Sequence, residues 1–312
     1  MKFGACFWMQ RTSWPELRDA WRAADEAGFD SLWTEDHLLA DVGDWRWPKF
    51  EGYTALAALA PTTPRPRVGL MVTAVAFRNP GHVAKLATTL DHITGGRFIL
   101  GMGAGHLQRE HEAFGFDFGQ TPGARLDRLD EATGLIRRLL DGEMVTHHGR
   151  HYDFIDAVCE PRPVQTHLPI WVGGNGPNKT MRIVAKYGDG WNGGGRPPQV
   201  AQTLAALRER CAEIGRDYDS IHKSVIAWAY IRDKVEDAHE LDRRTRAAND
   251  MPALVLEDGT PTGPLCSGPP SQIADAIRAY EAVGIQEMLW HFLAPFDIET
   301  IRRVPEVRAA LA

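Results

Sequence analysis

A histidine beside two carboxylates, in Thr34-Glu35-Asp36-His37, closes a short apolar run. An imidazole oriented by a neighbouring carboxylate exchanges protons near neutral pH. The same residues also read as a helix-capping Asp and a surface His. In Gly101-Met102-Gly103-Ala104-Gly105-His106, small residues let a flat ligand approach the backbone. The spacing there is Gly-x-Gly-x-Gly, without the context or later acid of a dinucleotide fingerprint, so a Rossmann reading is rejected. Between a strand and a helix lies Gly173-Gly174-Asn175-Gly176-Pro177-Asn178-Lys179-Thr180. Glycines leading to a helix N-terminus offer free amides and a favourable dipole to a phosphate; the plain alternative is a connector. Gly190-Trp191-Asn192 precedes three glycines and Arg196, and its Trp either walls a pocket or packs beneath a rim. Trp8 and Met71-Val72-Thr73 put apolar or small groups where an aromatic ring system would need walls.

Other chemistries lack their signatures. His147, His148 and His151 sit at hairpin-like spacing without a carboxylate cluster, so no metal site is expected. A metal hydrolase would also want His-x-His on the first strand, and residues 3–7 have none. Neither a Gly-x-Ser-x-Gly elbow nor a Cys-x-x-Cys pair occurs.

The elements that must position these groups alternate. Strands are expected at about 2–8, 29–34, 68–74, 97–101, 169–172, 190–192, 221–231 and 285–292. Helices are expected at 13–27, 51–60, 80–93, 123–140, 178–187, 200–214, 273–283 and 298–311. Ser13, Pro15 and Glu16 form a helix start, and Leu126, Leu129, Thr133, Ile136 and Leu140 share one helical face. A β-then-α rhythm repeated eight times predicts an α/β fold, a (β/α)8 TIM barrel in one domain spanning 1–312. Excursions fall at about 38–50, 102–122, 143–168 and 232–270. The last is charged and then Pro/Gly-rich, and reads as a lid over the substrate mouth. In such barrels function collects at the carboxyl ends of the strands, where all four motifs lie.

Composition narrows the field. The chain has 312 residues, 44% hydrophobic and 24% charged, enough for a full-sized core. Its net charge of -6 argues against a nucleic-acid partner, and no apolar run is long enough to span a membrane. Cys6, Cys159, Cys211 and Cys266 lie far apart and read as reduced thiols of a cytoplasmic protein. Residues 1–7 read as a strand rather than a signal peptide.

Motifs along the chain carry a family resemblance. They run from Trp33-Thr34-Glu35-Asp36-His37 through Arg78-Asn79-Pro80, Ala84-Lys85, Thr89-Leu90-Asp91 and Gly95-Gly96-Arg97. They continue in Gly101–Gly105, Arg109-Glu110-His111-Glu112-Ala113-Phe114-Gly115, Pro169–Gly174 and Gly188-Asp189-Gly190-Trp191-Asn192. In these the chain resembles the bacterial luciferase-like (flavin-utilising monooxygenase) superfamily, and within it the oxidoreductases that use the deazaflavin coenzyme F420. The resemblance implies a luciferase-like barrel holding a deazaflavin ring at its carboxyl face. It implies a non-proline cis peptide after strand three, at Met71-Val72, backing the ring together with Thr73. Asp36 and His37 become the catalytic pair, with His37 moving a proton on a small organic substrate. Backbone of Gly103, Ala104 and Gly105 would touch the ring. The phosphate would fall to Gly173, Gly174, Asn175, Gly176 and Thr180, with Trp191 also at the cofactor. His106 stands where sugar-phosphate dehydrogenase relatives often carry a catalytic acid, which speaks against that substrate. Dimerisation is a further family expectation.

The expected reaction is hydride transfer between F420 and the substrate. The alternative is a two-component monooxygenase using reduced FMN from a partner flavin reductase, since oxygen activation needs flavin chemistry a deazaflavin lacks. A non-catalytic flavin-binding barrel and a metal hydrolase are the remaining readings.

Overall fold

Eight parallel strands close on themselves in the computed structural model, which describes residues 1–255 and 264–312. They are β1 (Lys2–Phe7), β2 (Ser31–Thr34), β3 (Arg67–Leu70), β4 (Phe98–Gly103), β5 (Ile170–Gly173), β6 (Gly190–Gly193), β7 (His222–Ile231) and β8 (Glu287–Phe292). Each pairs in parallel with the next, and β8 returns to β1 with His291 opposite Cys6. Helices follow the strands outside the barrel, and the main apolar core fills the layer between them.

Local chemistry starts and stops these elements. Ser13 caps helix Trp14–Glu26 in a reciprocal box with Glu16. Asn79 and Thr121 cap Pro80–Thr94 and Pro122–Leu140, each followed by a proline. Gly95, at φ 62°, closes Pro80–Thr94 in the left-handed conformation that glycine adopts without strain.

The structure departs from the sequence expectation in three places. The run expected at 68–74 is interrupted: β3 stops at Leu70, and Thr73–Ala74 resumes as a short strand beside the end of β4. The charged stretch after β7 contains a helix, Val235–Ala248, and a strand, Cys266–Gly268, paired with β7. That helix buries only Ala238, Asp242 and Arg246, so no apolar stripe announces it. The part of the expected lid at 256–263 lies outside the described residues. The closing helix is two, Ile298–Arg302 and Val304–Leu311, broken near Pro305, which has no N–H to donate.

The barrel axis is filled only in its lower part. Trp33 packs on Trp171 with ring centroids 5.1 Å apart, flanked by Cys6, Ile99 and Leu289. Glycines on neighbouring strands make room for these rings. A Cβ at Gly69 would lie 2.6 Å from Trp33 and 2.4 Å from the Ile99 carbonyl, and one at Gly190 would lie 2.5 Å from Trp171. Gly69→Ala should therefore destabilise the barrel by about 3 kcal/mol, because backbone blocks relaxation. Urea unfolding measures it, and an unchanged midpoint would show the plug to be loosely packed.

Candidate active site

Above the tryptophan plug the carboxyl ends of the strands enclose a cavity of about 610 Å³. It has two chemically different ends. One is built from small groups: Gly103, Ala104 and Gly105 at the end of β4, Gly173, Gly174 and Asn175 at the end of β5, and Gly193 and Gly194 at the end of β6. Met71 and Val72 form its apolar wall, and the peptide between them is cis, as the resemblance implied. A Cβ at Gly103 would lie 2.2 Å from the Val72 side chain, and one at Gly173 2.9 Å from it, so only glycine lets β4 and β5 close on this wall. Thr180 and Arg125 complete this end. No side chain caps helix Lys179–Tyr187, and the buried Arg125 Nε has no protein partner. Together they offer donors to an anion.

The other end is ionisable: Glu35, His37, Asp41, His106 and His291 line it with Trp8, Val42 and Ile226. His37 Nδ1 lies 2.9 Å from Glu110 Oε1, and Glu110 Oε2 accepts from the amides of Leu38 and Leu39. Burial opposes a charge on His37, yet the Glu110 hydrogen bond and the Asp41 charge hold its pKa above the ordinary value. Nδ1 being committed, Nε2 is the atom left for exchange; its carboxylate neighbour, Asp41, is 3.9 Å away. His106 meets His37 edge-on at 5.0 Å, and burial pushes its pKa down. His291, stacked on Trp228, is driven down to about 4 by burial and is neutral.

Beneath these rings runs a buried ion trio. Lys49 Nζ, 1% exposed, donates to Glu35 at 2.9 Å and Asp41 at 2.8 Å. Burial pushes Glu35 up to about 7 against the pull of Lys49. Among the described residues, the ligand-capable atoms of Cys6, Glu35 and His291 lie within 4.8 Å of one another. Glu35 is already engaged by Lys49, and burial holds the Cys6 thiol far from ionising.

Several expected residues stand elsewhere. Asp36 does not reach the cavity: it accepts from Arg78 at 2.7 Å and the Ala74 amide at 2.8 Å, joining the β2 and β3 loops. Its partnership with His37 is corrected to Glu110. Thr73 lies behind the wall, hydrogen-bonded to Tyr53 at 2.7 Å. Trp191 is fully buried beneath the glycine turn and donates to the Gly174 carbonyl at 2.8 Å. Gly176 lies behind the same turn, against Thr180. Arg109 and Arg11 stack on Trp45 and Trp47 in the loop after β2. His147 binds Glu131 in the hairpin of Val145–His148 and Asp153–Ala157. Sequence reasoning missed Glu110, Asp41, Lys49, Arg125 and His291. Only Glu110 left a signal, lying within the family-like run from Arg109 to Gly115.

The fold and site define a (β/α)8 barrel with a glycine-lined slot opening onto a histidine–carboxylate cluster. Residues 1–287 match the model of the family described as luciferase-like monooxygenase, and the chain belongs to that family. An F420-dependent glucose-6-phosphate dehydrogenase of Amycolatopsis mediterranei is 28% identical, over 92% of each chain. A 4-hydroxyprotoasukamycin monooxygenase of Streptomyces nodosus subsp. asukaensis is 31% identical over 76% of this chain and 64% of its own. The fold matches that of an F420-dependent secondary alcohol dehydrogenase solved with an F420-acetone adduct. The TM-score is 0.85 at 20% identity, covering 100% of this chain and 99% of that one. No helix among the described residues is long and apolar enough to cross a membrane.

The raised His37 pKa sets a pH dependence. A group whose pKa is raised by folding adds stability below its unfolded value near 6.5, and that stability is lost as pH rises through the folded value. Glu110→Gln should lower the midpoint of the His37 ring-proton titration by about one unit and remove that slope. An NMR titration in which the variant keeps the parent midpoint would falsify Glu110 as the source.

Proposed function

We propose that the protein is an F420-dependent oxidoreductase that interconverts an alcohol and a carbonyl on a small organic substrate. The observation that carries this reading is a single cavity lined both by Val72 with the glycine backbone and by His37, whose Nδ1 is committed to Glu110. The residues present fit a flat cofactor: glycines that tolerate no Cβ against Val72, and an orphaned Arg125 Nε beside an uncapped helix. When bound, the deazaflavin supplies a hydride donor or acceptor at C5.

The chain's own residues do the rest. Met71 and Val72 would give the ring an apolar wall and keep water from it, and the backbone of Gly103, Ala104 and Gly105 would line the slot that holds it. Gly174, Asn175, Thr180 and Arg125 hold the phosphate. His37 takes the hydroxyl proton at Nε2 in the oxidising direction and returns it in reduction. Glu110 fixes the ring and stabilises the imidazolium, so the charge developing at His37 meets a preorganised carboxylate. His106 and His291, both held toward the neutral form by burial, orient the substrate oxygen. F420-dependent relatives that align over nine-tenths of the chain support this cofactor; the monooxygenase relative keeps FMN as the alternative, with its need for a reductase.

Absorbance titration of the protein with F420 and with FMN should give saturable binding of F420 and at least tenfold weaker binding of FMN. The reverse order would move the assignment to a two-component monooxygenase. In the F420-loaded enzyme, His37→Ala should lower kcat by about 10²–10⁴ while leaving F420 binding intact, read from the same titration.

A further inference from the structure

The substrate end of the cavity has no charge to spare. Its one buried cation, Lys49, is neutralised by Glu35 and Asp41 at 2.9 and 2.8 Å. His37 has its counter-charge in Glu110, and its second nitrogen faces Asp41. His291 and His106 are held toward their neutral forms by burial. Among the described residues, the only Lys or Arg lining the cavity is Arg125, at the glycine end beside Thr180. Residues 256–263 contain no Lys or Arg in sequence. An anion at the substrate end would lie against ionised Asp41 with nothing to pair it, and an unpaired desolvated charge is rejected strongly.

The same end offers apolar faces and neutral hydrogen bonds instead. Trp8 and Trp228 pack edge-to-face at 5.3 Å with His291 against both, and Val42 and Ile226 line the remaining wall. The buried Nδ1 of His291 and Nε1 of Trp8 have no protein partner. Neutral imidazoles both donate and accept, so they suit a hydroxyl or carbonyl rather than a phosphate.

Resting on the F420 reading above, we propose that the substrate is an uncharged alcohol or ketone with an apolar face. Phosphorylated or carboxylated compounds are excluded, although relatives of this chain are named for glucose 6-phosphate. In oxidation the carbinol C–H bond breaks and its electron pair leaves as hydride to F420. The O–H bond gives its proton to His37, and C–O becomes C=O, so one hydride carrying both electrons reaches the named co-substrate and the proton stays on His37.

The test uses the full-length protein and separates the two claims. F420 binding is read first by absorbance titration. Cyclohexanol and cyclohexanone, then glucose 6-phosphate, are next titrated by quenching of tryptophan fluorescence, on the cofactor-free protein and on the F420-loaded protein. Turnover of cyclohexanol and of glucose 6-phosphate is followed by loss of F420 absorbance. The expected result is binding of the uncharged pair and kcat/KM for cyclohexanol at least a hundredfold above that for glucose 6-phosphate. Glucose 6-phosphate turned over within tenfold of cyclohexanol, or binding of neither probe class, overturns the substrate assignment. Failure of F420 to bind overturns the cofactor reading alone, and the titrations on cofactor-free protein then decide the substrate class. Val42→Arg, which adds an unpaired cation, should raise glucose 6-phosphate affinity at least tenfold; unchanged affinity in a folded variant also counts against the assignment.

Discussion

A closed barrel must fill its own axis, and this protein fills only the lower part of it. Trp33 and Trp171 occupy that level so completely that Gly69 and Gly190 are required beside them. The plug sets the floor of the cavity, with Met71 and Ile226 packed on its upper surface. Above it β4, β5 and β6 end in glycine, while ionisable residues come from β8 and from the loops after β2 and β4, and that division gives the site its polarity. Depth comes from packing, and chemistry from which residue each strand carries one or two positions beyond the plug.

The second constraint is electrostatic. Burying Glu35, Asp41, Lys49, His37 and Glu110 together is tolerable only because each charge has a partner at hydrogen-bond distance. Removing one member would leave another desolvated and alone. That closure ties two excursions into one unit: residues 35–41 and Lys49 after β2, and Glu110 on the short helix Gln108–Phe114 after β4. It also keeps His37 in one orientation, with Nδ1 occupied and Nε2 turned to the cavity. Asp36, adjacent in sequence, performs a different task through Arg78, which reaches on to Glu51 at 2.9 Å and anchors the next helix.

Much of the fold was legible because its signals are local. Ser13 and Glu16, Asn79 with Pro80, and the stripe through Leu129, Ile136 and Leu140 lie within a few residues of what they specify. The helix Val235–Ala248 was not legible, because its buried face carries an i,i+4 ion pair between Asp242 and Arg246 where an apolar stripe would stand. In the site, the glycine turns after β4 and β5 and His37 itself were readable as motifs. Glu110 lay within a motif, but its pairing was not readable, since it reaches His37 from 73 positions away. A helix carrying a carboxylate looks the same in sequence whether that carboxylate faces solvent or an imidazole.

The sequence by itself determined the alternation of strands and helices, the family resemblance, and the motifs gathered at one face of the barrel. These follow from periodicity, capping and short spacings, which act between near neighbours. Only the tertiary structure decided which carboxylate serves His37, that Asp36, Thr73 and Trp191 stand behind the wall, and that Arg125 and His291 stand at it. Those facts depend on barrel closure, which brings β8 beside β1 and the loop after β4 onto the loop after β2. The lack of a spare cation at the substrate end is of the same kind, because it follows from residues that meet only when the chain has folded.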